Sequence, residues 1–215
     1  MRVALTFDAE HPDRPGCPPG VHDRVLDVLV TEGVRATLFV QGRWAQAYPQ
    51  RARRILQDGH LIGSHSHFHA RMSLLTDEGI RLDLGEAERA IGAATGTDPR
   101  PWFRLPWGDG AGDSRIRAAL EASGYRAAGW DVVGEDWEPS RSTEDLVRDV
   151  VAGVGAFGDG AIVLLHTWPG STPEALPGML GRLRSGGVEL VTLAELGDRD
   201  PSATANPQLA RNNPR

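Results

Sequence analysis

Short apolar runs alternate along this chain with longer stretches whose apolar positions recur at helical spacing. Residues 3–7, 36–40, 61–64, 102–105, 125–130, 161–165 and 188–192 have the length and apolar content of buried strands. Between them, residues 21–32, 46–58, 76–95, 114–123, 143–154 and 173–185 read as helices. Leu26, Leu29 and Val30 carry the period in the first of these, and Ile80, Leu84, Ala87 and Ile91 in the third. Gly33, Gly59, Gly124 and Gly187 stand between a helix and the next strand, where a left-handed residue ends a helix. Thr76 and Ser142 are placed as N-caps. Such alternation predicts an α/β fold, a parallel sheet covered by helices. About seven units can close into an incomplete barrel or remain an open doubly wound sheet, and periodicity leaves both possible. Residues 1–197 form the expected domain. Residues 198–215 are polar, without an apolar period, and read as a flexible tail.

Composition narrows the function classes. The chain has 215 residues, 40% hydrophobic and 24% charged, as in an ordinary globular domain. Its net charge is −6 and it contains no lysine, which argues against a nucleic-acid or anionic-membrane partner. With a single cysteine, Cys17, neither an internal disulfide nor a thiolate metal cluster can form. Arg2-Val3-Ala4-Leu5-Thr6-Phe7 reads as a strand rather than a secretion signal. No apolar run approaches the roughly 20 residues of a membrane span. The expectation is a cytoplasmic protein.

Candidate chemistry lies in five segments. Ile62-Gly63-Ser64-His65-Ser66-His67-Phe68-His69 sets two imidazoles four residues apart, which share a face if the chain is helical there. His67 pairs with His65 only on an extended chain. Neutral imidazoles suit zinc, nickel, cobalt or iron, although the segment also reads as a polar turn with solvated histidines. Thr6-Phe7-Asp8-Ala9-Glu10-His11 ends the first strand with Asp8 and Glu10 on one face, or simply begins a loop. Arg104 ends a strand with Trp107 three residues on, Asp136-Trp137 follows the next strand, and His166 closes the strand after that. Taken singly these are a surface ion pair, a packed tryptophan and a core histidine. Together, Asp8, His65, Arg104, Asp136 and His166 all follow the C-terminal ends of different strands, where parallel α/β folds bind ligands.

From Thr6 to Leu193 the order of these motifs resembles the polysaccharide deacetylase family, the NodB-type domain of carbohydrate esterases. The resemblance implies a distorted, incomplete (β/α) barrel and a metal-dependent hydrolase that removes an N-acetyl group. In the family's Thr-Phe-Asp-Asp-Gly motif, Asp8 matches the catalytic base, but Ala9 stands where the second Asp binds metal. His65 and His69 match the two imidazole ligands. Arg104, Pro106 and Trp107 match Arg-x-Pro-Tyr, with Trp for Tyr. Asp136-Trp137 matches the Asp-Trp motif, which implies that Asp136 holds Arg104 or tunes His166. His166 matches the catalytic histidine, and Thr167 stands where Asp often follows it. Three readings of the Ala9 departure stay open: Glu10 is the third ligand, Asp8 binds metal itself, or the metal is lost. The ion implied is one divalent cation, zinc first, with cobalt, nickel or iron also fitting. Trp107, Trp137 and Trp168 lie beside motif residues and suit sugar rings. The substrate implied is an N-acetylated amino sugar, a short oligosaccharide or a small glycoside. The rivals are a C–N hydrolase of cyclic amides, imides or acyl-amines, and an inactive carbohydrate-binding module.

Overall fold

The computed structural model of the protein describes residues 1–11 and 17–197, so the polar tail expected from residue 198 lies outside the described residues. Among the described residues the eight strands are β1 Arg2–Ala9, β2 Thr37–Val40, β3 Leu61–Ser64, β4 Trp102–Phe103, β5 Arg126–Ala127, β6 Val132–Val133, β7 Ala161–His166 and β8 Glu189–Val191. Every pairing is parallel, in the order β5-β4-β3-β2-β1-β7-β6. β8 pairs with Arg2–Ala4 of β1, while residues 6–9 of β1 pair with β2.

The helices are α1 Val21–Thr31, α2 Gly42–Ala47, α3 Pro49–Gln57, α4 Asp77–Thr95, α5 Ser114–Ala122, α6 Thr143–Phe157, α7 Ser171–Ser185 and α8 Leu193–Leu196. The sheet therefore curls into the expected α/β incomplete barrel. Thr76 caps α4 by accepting from Gly79 N, and Ser142 caps α6 by accepting from Asp145 N.

Strand parity separates two packed layers. Val3, Leu5, Phe7 and Ala9 of β1 join Val163 and Leu165 of β7 in the large core against the helices. Ala4, Ile162 and Phe39 face the other way, into a smaller cluster closed by Leu193 and Leu196 of α8. Because side chains alternate, Asp8 and Glu10 share the parity of Ala4 and turn inward. Ala9 is fully buried on the helix side.

Two expectations need correction. The strand expected at 125–130 is only Arg126–Ala127, and a separate strand follows at Val132–Val133. This stretch changes partner: Ala128 N donates to Phe103 O at 2.7 Å, and Asp131 N donates to Ile162 O at 2.8 Å. It thus passes from one edge of the curled sheet to the other, with only a single bridge at Trp130 between β5 and β6. The helix expected at 46–58 is also two helices. Pro49 opens α3 at its first turn, where its missing N–H costs nothing, and a proline there breaks continuity with α2.

Candidate active site

The segment after β3 is not helical, contrary to the condition under which the histidine spacing was read. Ser66 (φ 61°) and His69 (φ 58°) take left-handed backbone, and Ser66 Oγ accepts from His69 N at 2.9 Å. This tight turn, rather than a helical face, brings His65 and His69 together. Their Nε2 atoms lie 3.1 Å apart. His67 points elsewhere: its Nδ1 lies where a side chain on Gly42 would collide. Asp83 of α4 accepts from His67 N at 2.9 Å and from Phe68 N at 3.1 Å, pinning the turn from behind.

Glu10 meets the pair from β1. Its Oε2 lies 3.2 Å from His65 Nε2 and 2.5 Å from His69 Nε2. Asp8 Oδ2 stands 3.5 Å from His65 Nε2. His65 Nδ1 donates to the Arg104 carbonyl at 2.9 Å. A carbonyl only accepts, so Nδ1 carries a proton, and Nε2 is the ring atom turned toward Glu10. Glu10, His65 and His69 offer ligand atoms within 4.8 Å of one another.

Two ring nitrogens and a carboxylate gathered this closely in a buried position suit a shared positive charge, whether a proton or a cation. Burial opposes ionisation of Glu10, yet hydrogen bonds from His11, His65 and His69 hold its carboxyl well below the usual range. Burial likewise opposes charge on His65, but Asp8 and Glu10 outweigh it and raise its pKa. For His69, burial prevails and lowers the pKa. Two imidazoles and one carboxylate fit a divalent cation such as zinc, cobalt, nickel or iron. Ala9 has no donor to offer.

Two more charged pairs flank this set. Arg104 is fully buried, and its Nη1 donates to Asp8 Oδ1 at 3.0 Å. Nη2 donates to Gly129 O at 3.0 Å, and Nε lies 3.4 Å from Ala128 O. The guanidinium thus satisfies carbonyls left over where the sheet is interrupted, with its carbon 4.1 Å from the Phe39 ring centroid. His166 stands opposite Asp8 in the β1–β7 register. Its Nδ1 donates to Asp136 Oδ1 at 2.8 Å, and its backbone N donates to Oδ2 at 2.7 Å. Asp136 therefore contacts His166, and Arg104 bonds Asp8 instead. Burial disfavours the His166 imidazolium, but Asp136, helped by Glu10 and Asp8, raises its pKa to about 9.

The three tryptophans differ. Trp107 is half exposed with φ 61°, its ring 4.7 Å from that of His69. Trp137 packs edge-on to His166 at 5.1 Å. Trp168 is only 8% exposed and donates through Nε1 to Glu10 Oε1 at 3.1 Å.

Three residues near the site were not singled out from the sequence. His11 Nε2 lies 3.2 Å from Glu10 Oε1. Gln41 Oε1 accepts from His11 N at 2.9 Å, holding the turn after β1. Asp83 was detectable, as an acid on the apolar stripe of Ile80, Leu84 and Ala87. Nothing local marks Gln41, whose partner lies 30 residues away.

Comparison with known proteins identifies the family. Residues 1–128 match the sequence profile of the family described as polysaccharide deacetylase. Over 195 residues the chain is 33% identical to the peptidoglycan-N-acetylglucosamine deacetylase PgdA of Listeria monocytogenes, covering 91% of this chain but 38% of that protein. It superposes on a family 4 acetyl xylan esterase from Clostridium thermocellum, solved with a cobalt ion, with TM-score 0.79 and 32% identity. That match covers 96% of this chain and 100% of the other. A family 4 carbohydrate esterase pseudoenzyme from Bacillus anthracis matches with TM-score 0.81 and 28% identity, over 92% of this chain and 65% of the other. Sequence and barrel agree, and the chain belongs to the polysaccharide deacetylase family.

Proposed function

We propose that this protein is a divalent-metal-dependent deacetylase acting on an N-acetylated amino sugar in a short oligosaccharide or small glycoside. The observation that carries the reading is the meeting of Glu10, His65 and His69 at one end of the barrel, between the Asp8–Arg104 and His166–Asp136 pairs. In this reading Glu10 takes the place of the carboxylate that Ala9 lacks, and zinc is the first candidate ion. The relatives named for deacetylation of peptidoglycan N-acetylglucosamine and for acetyl xylan esterase activity support an acetylated sugar.

A bound ion of this kind lowers the pKa of water and polarises an acyl carbonyl. Asp8, held by Arg104, accepts the proton of the water that adds to the acyl carbon. His166 keeps its proton at neutral pH and delivers it to the amide nitrogen as the C–N bond breaks, giving acetate and a free amine. Asp136 fixes the Nδ1 side of that ring and leaves Nε2 to donate. In this reading a backbone N–H near Trp107 adds to the oxyanion site. Trp107 and Trp137 offer aromatic surface at the mouth for a sugar ring.

The test pairs metal analysis of the purified chain with acetate release from N-acetylated sugars. One equivalent of metal is expected, lost in His65→Ala and sharply reduced in Glu10→Ala. Full occupancy in Glu10→Ala would remove Glu10 from the ligand set. A second reading is favoured by Ala9 and by the likeness to a family pseudoenzyme: an inactive sugar-binding domain. It expects sugar binding with no acetate released under any added divalent ion.

A further inference from the structure

We infer that Trp168 is a positioning residue for Glu10, turning one carboxylate oxygen toward the imidazole pair; this rests on the metal reading above. Glu10 reaches the site on a longer side chain than an aspartate would need, so more rotamers must be suppressed for it to present an oxygen correctly. Its two oxygens have different neighbours. Oε2 faces His65 and His69. Oε1 accepts from Trp168 Nε1 at 3.1 Å and lies 3.2 Å from His11 Nε2.

An indole N–H donates and never accepts or ligates. It can therefore hold Oε1 without competing for the cation, and the remaining oxygen is left to the imidazoles. Partners of this kind, one bond beyond the ligands, orient the ligand and tune its affinity. Trp168 is itself well anchored. It lies two residues beyond His166 at the end of β7, is 8% exposed, and packs with its ring 5.7 Å from that of His166. A side chain so covered has little face to give a sugar, unlike half-exposed Trp107. The same residue thus ties the segment bearing the proton donor to the segment bearing the carboxylate.

The test measures Zn²⁺ dissociation constants of the full-length protein by chelator competition in wild type, Trp168→Phe, Glu10→Ala and the double variant. Trp168→Phe is expected to weaken binding by roughly 10–100-fold, the usual effect of removing such a partner. In the Glu10→Ala background the same change is expected to do nothing, because its effect passes through Glu10. Trp168→His, which keeps a ring N–H, is expected to lose less than Trp168→Phe. Equal weakening in both backgrounds, or equal losses in the Phe and His variants, would overturn the inference. So would wild-type affinity in Trp168→Phe alongside a clear loss in Glu10→Ala. Wild-type affinity in Glu10→Ala would overturn both the inference and the metal reading beneath it.

Discussion

His166 and Asp136 form a closed arrangement in which every carboxylate oxygen is used. Asp136 Oδ1 takes the ring N–H, while Oδ2 takes the His166 backbone N–H and the Thr172 hydroxyl at 2.7 Å. A histidine whose pKa is raised to about 9 is protonated at neutrality and loses its proton only in alkaline solution. If it donates to the leaving amine, His166→Ala should lower kcat by about 10²–10⁴, the usual share of general acid–base catalysis. Metal content should be unchanged, and loss of metal in that variant would place His166 among the ligands instead. Asp136→Asn removes the charge that holds the proton, so the alkaline limb of the kcat profile should move to lower pH. A limb that stays put would assign it to another group. The motif order supplied His166 and Asp136 individually, but left Asp136 a choice between Arg104 and His166. That choice is a matter of a few ångströms set by strand register, which local sequence does not contain.

At the scale of elements, the loop after β3 is held by its neighbours as much as by its own residues. Gly42 begins α2 and donates its N–H to Ser66 O at 2.9 Å. A Cβ at Gly42 would lie 2.3 Å from His67 Nδ1 and 2.9 Å from Ala87 Cα. Gly42→Ala should therefore destabilise the protein by about 1–3 kcal/mol, the range for overpacking, and weaken metal binding as the turn is displaced. Chemical denaturation together with metal titration checks both effects, and an unchanged midpoint would mean that α2 yields freely. The i, i+4 spacing of His65 and His69 was legible, but its cause was not. A helix and a turn with two left-handed residues both bring such a pair together, and the turn is marked by the backbone of Ser66 and His69 and by Ser66 Oγ bonding His69 N. Strand 125–130 misled for a related reason. Its apolar run is continuous, while the break in it is imposed by a change of partner between β4 and β7.

For the whole molecule, the proposed cation, held between the end of β1 and the loop after β3, would bind only the folded chain and so add stability by mass action. Zinc at one hundred times its dissociation constant should stabilise by about 2.7 kcal/mol, raising Tm by roughly 5–10 °C for a chain of this size. The shift should shrink as pH falls, because the raised pKa of His65 lets protons compete for Nε2. Calorimetry with and without zinc at two pH values checks this, and no shift at neutral pH would sink the metal reading. What the sequence determined by itself was the alternation of elements, the caps at Thr76 and Ser142, and the appearance of Asp8, His65, Arg104, Asp136 and His166 at strand ends. These are legible because hydrophobic period, turn chemistry and short motifs are local. Strand alternation already set Glu10 and Ala9 on opposite faces, but tertiary structure alone brought Glu10 to the imidazole pair and set Arg104 at the interruption of the barrel. It also decided that Trp168 grips Glu10 across 158 residues of chain. Each of these depends on which strands lie side by side and in what register, and that is settled only when the sheet curls.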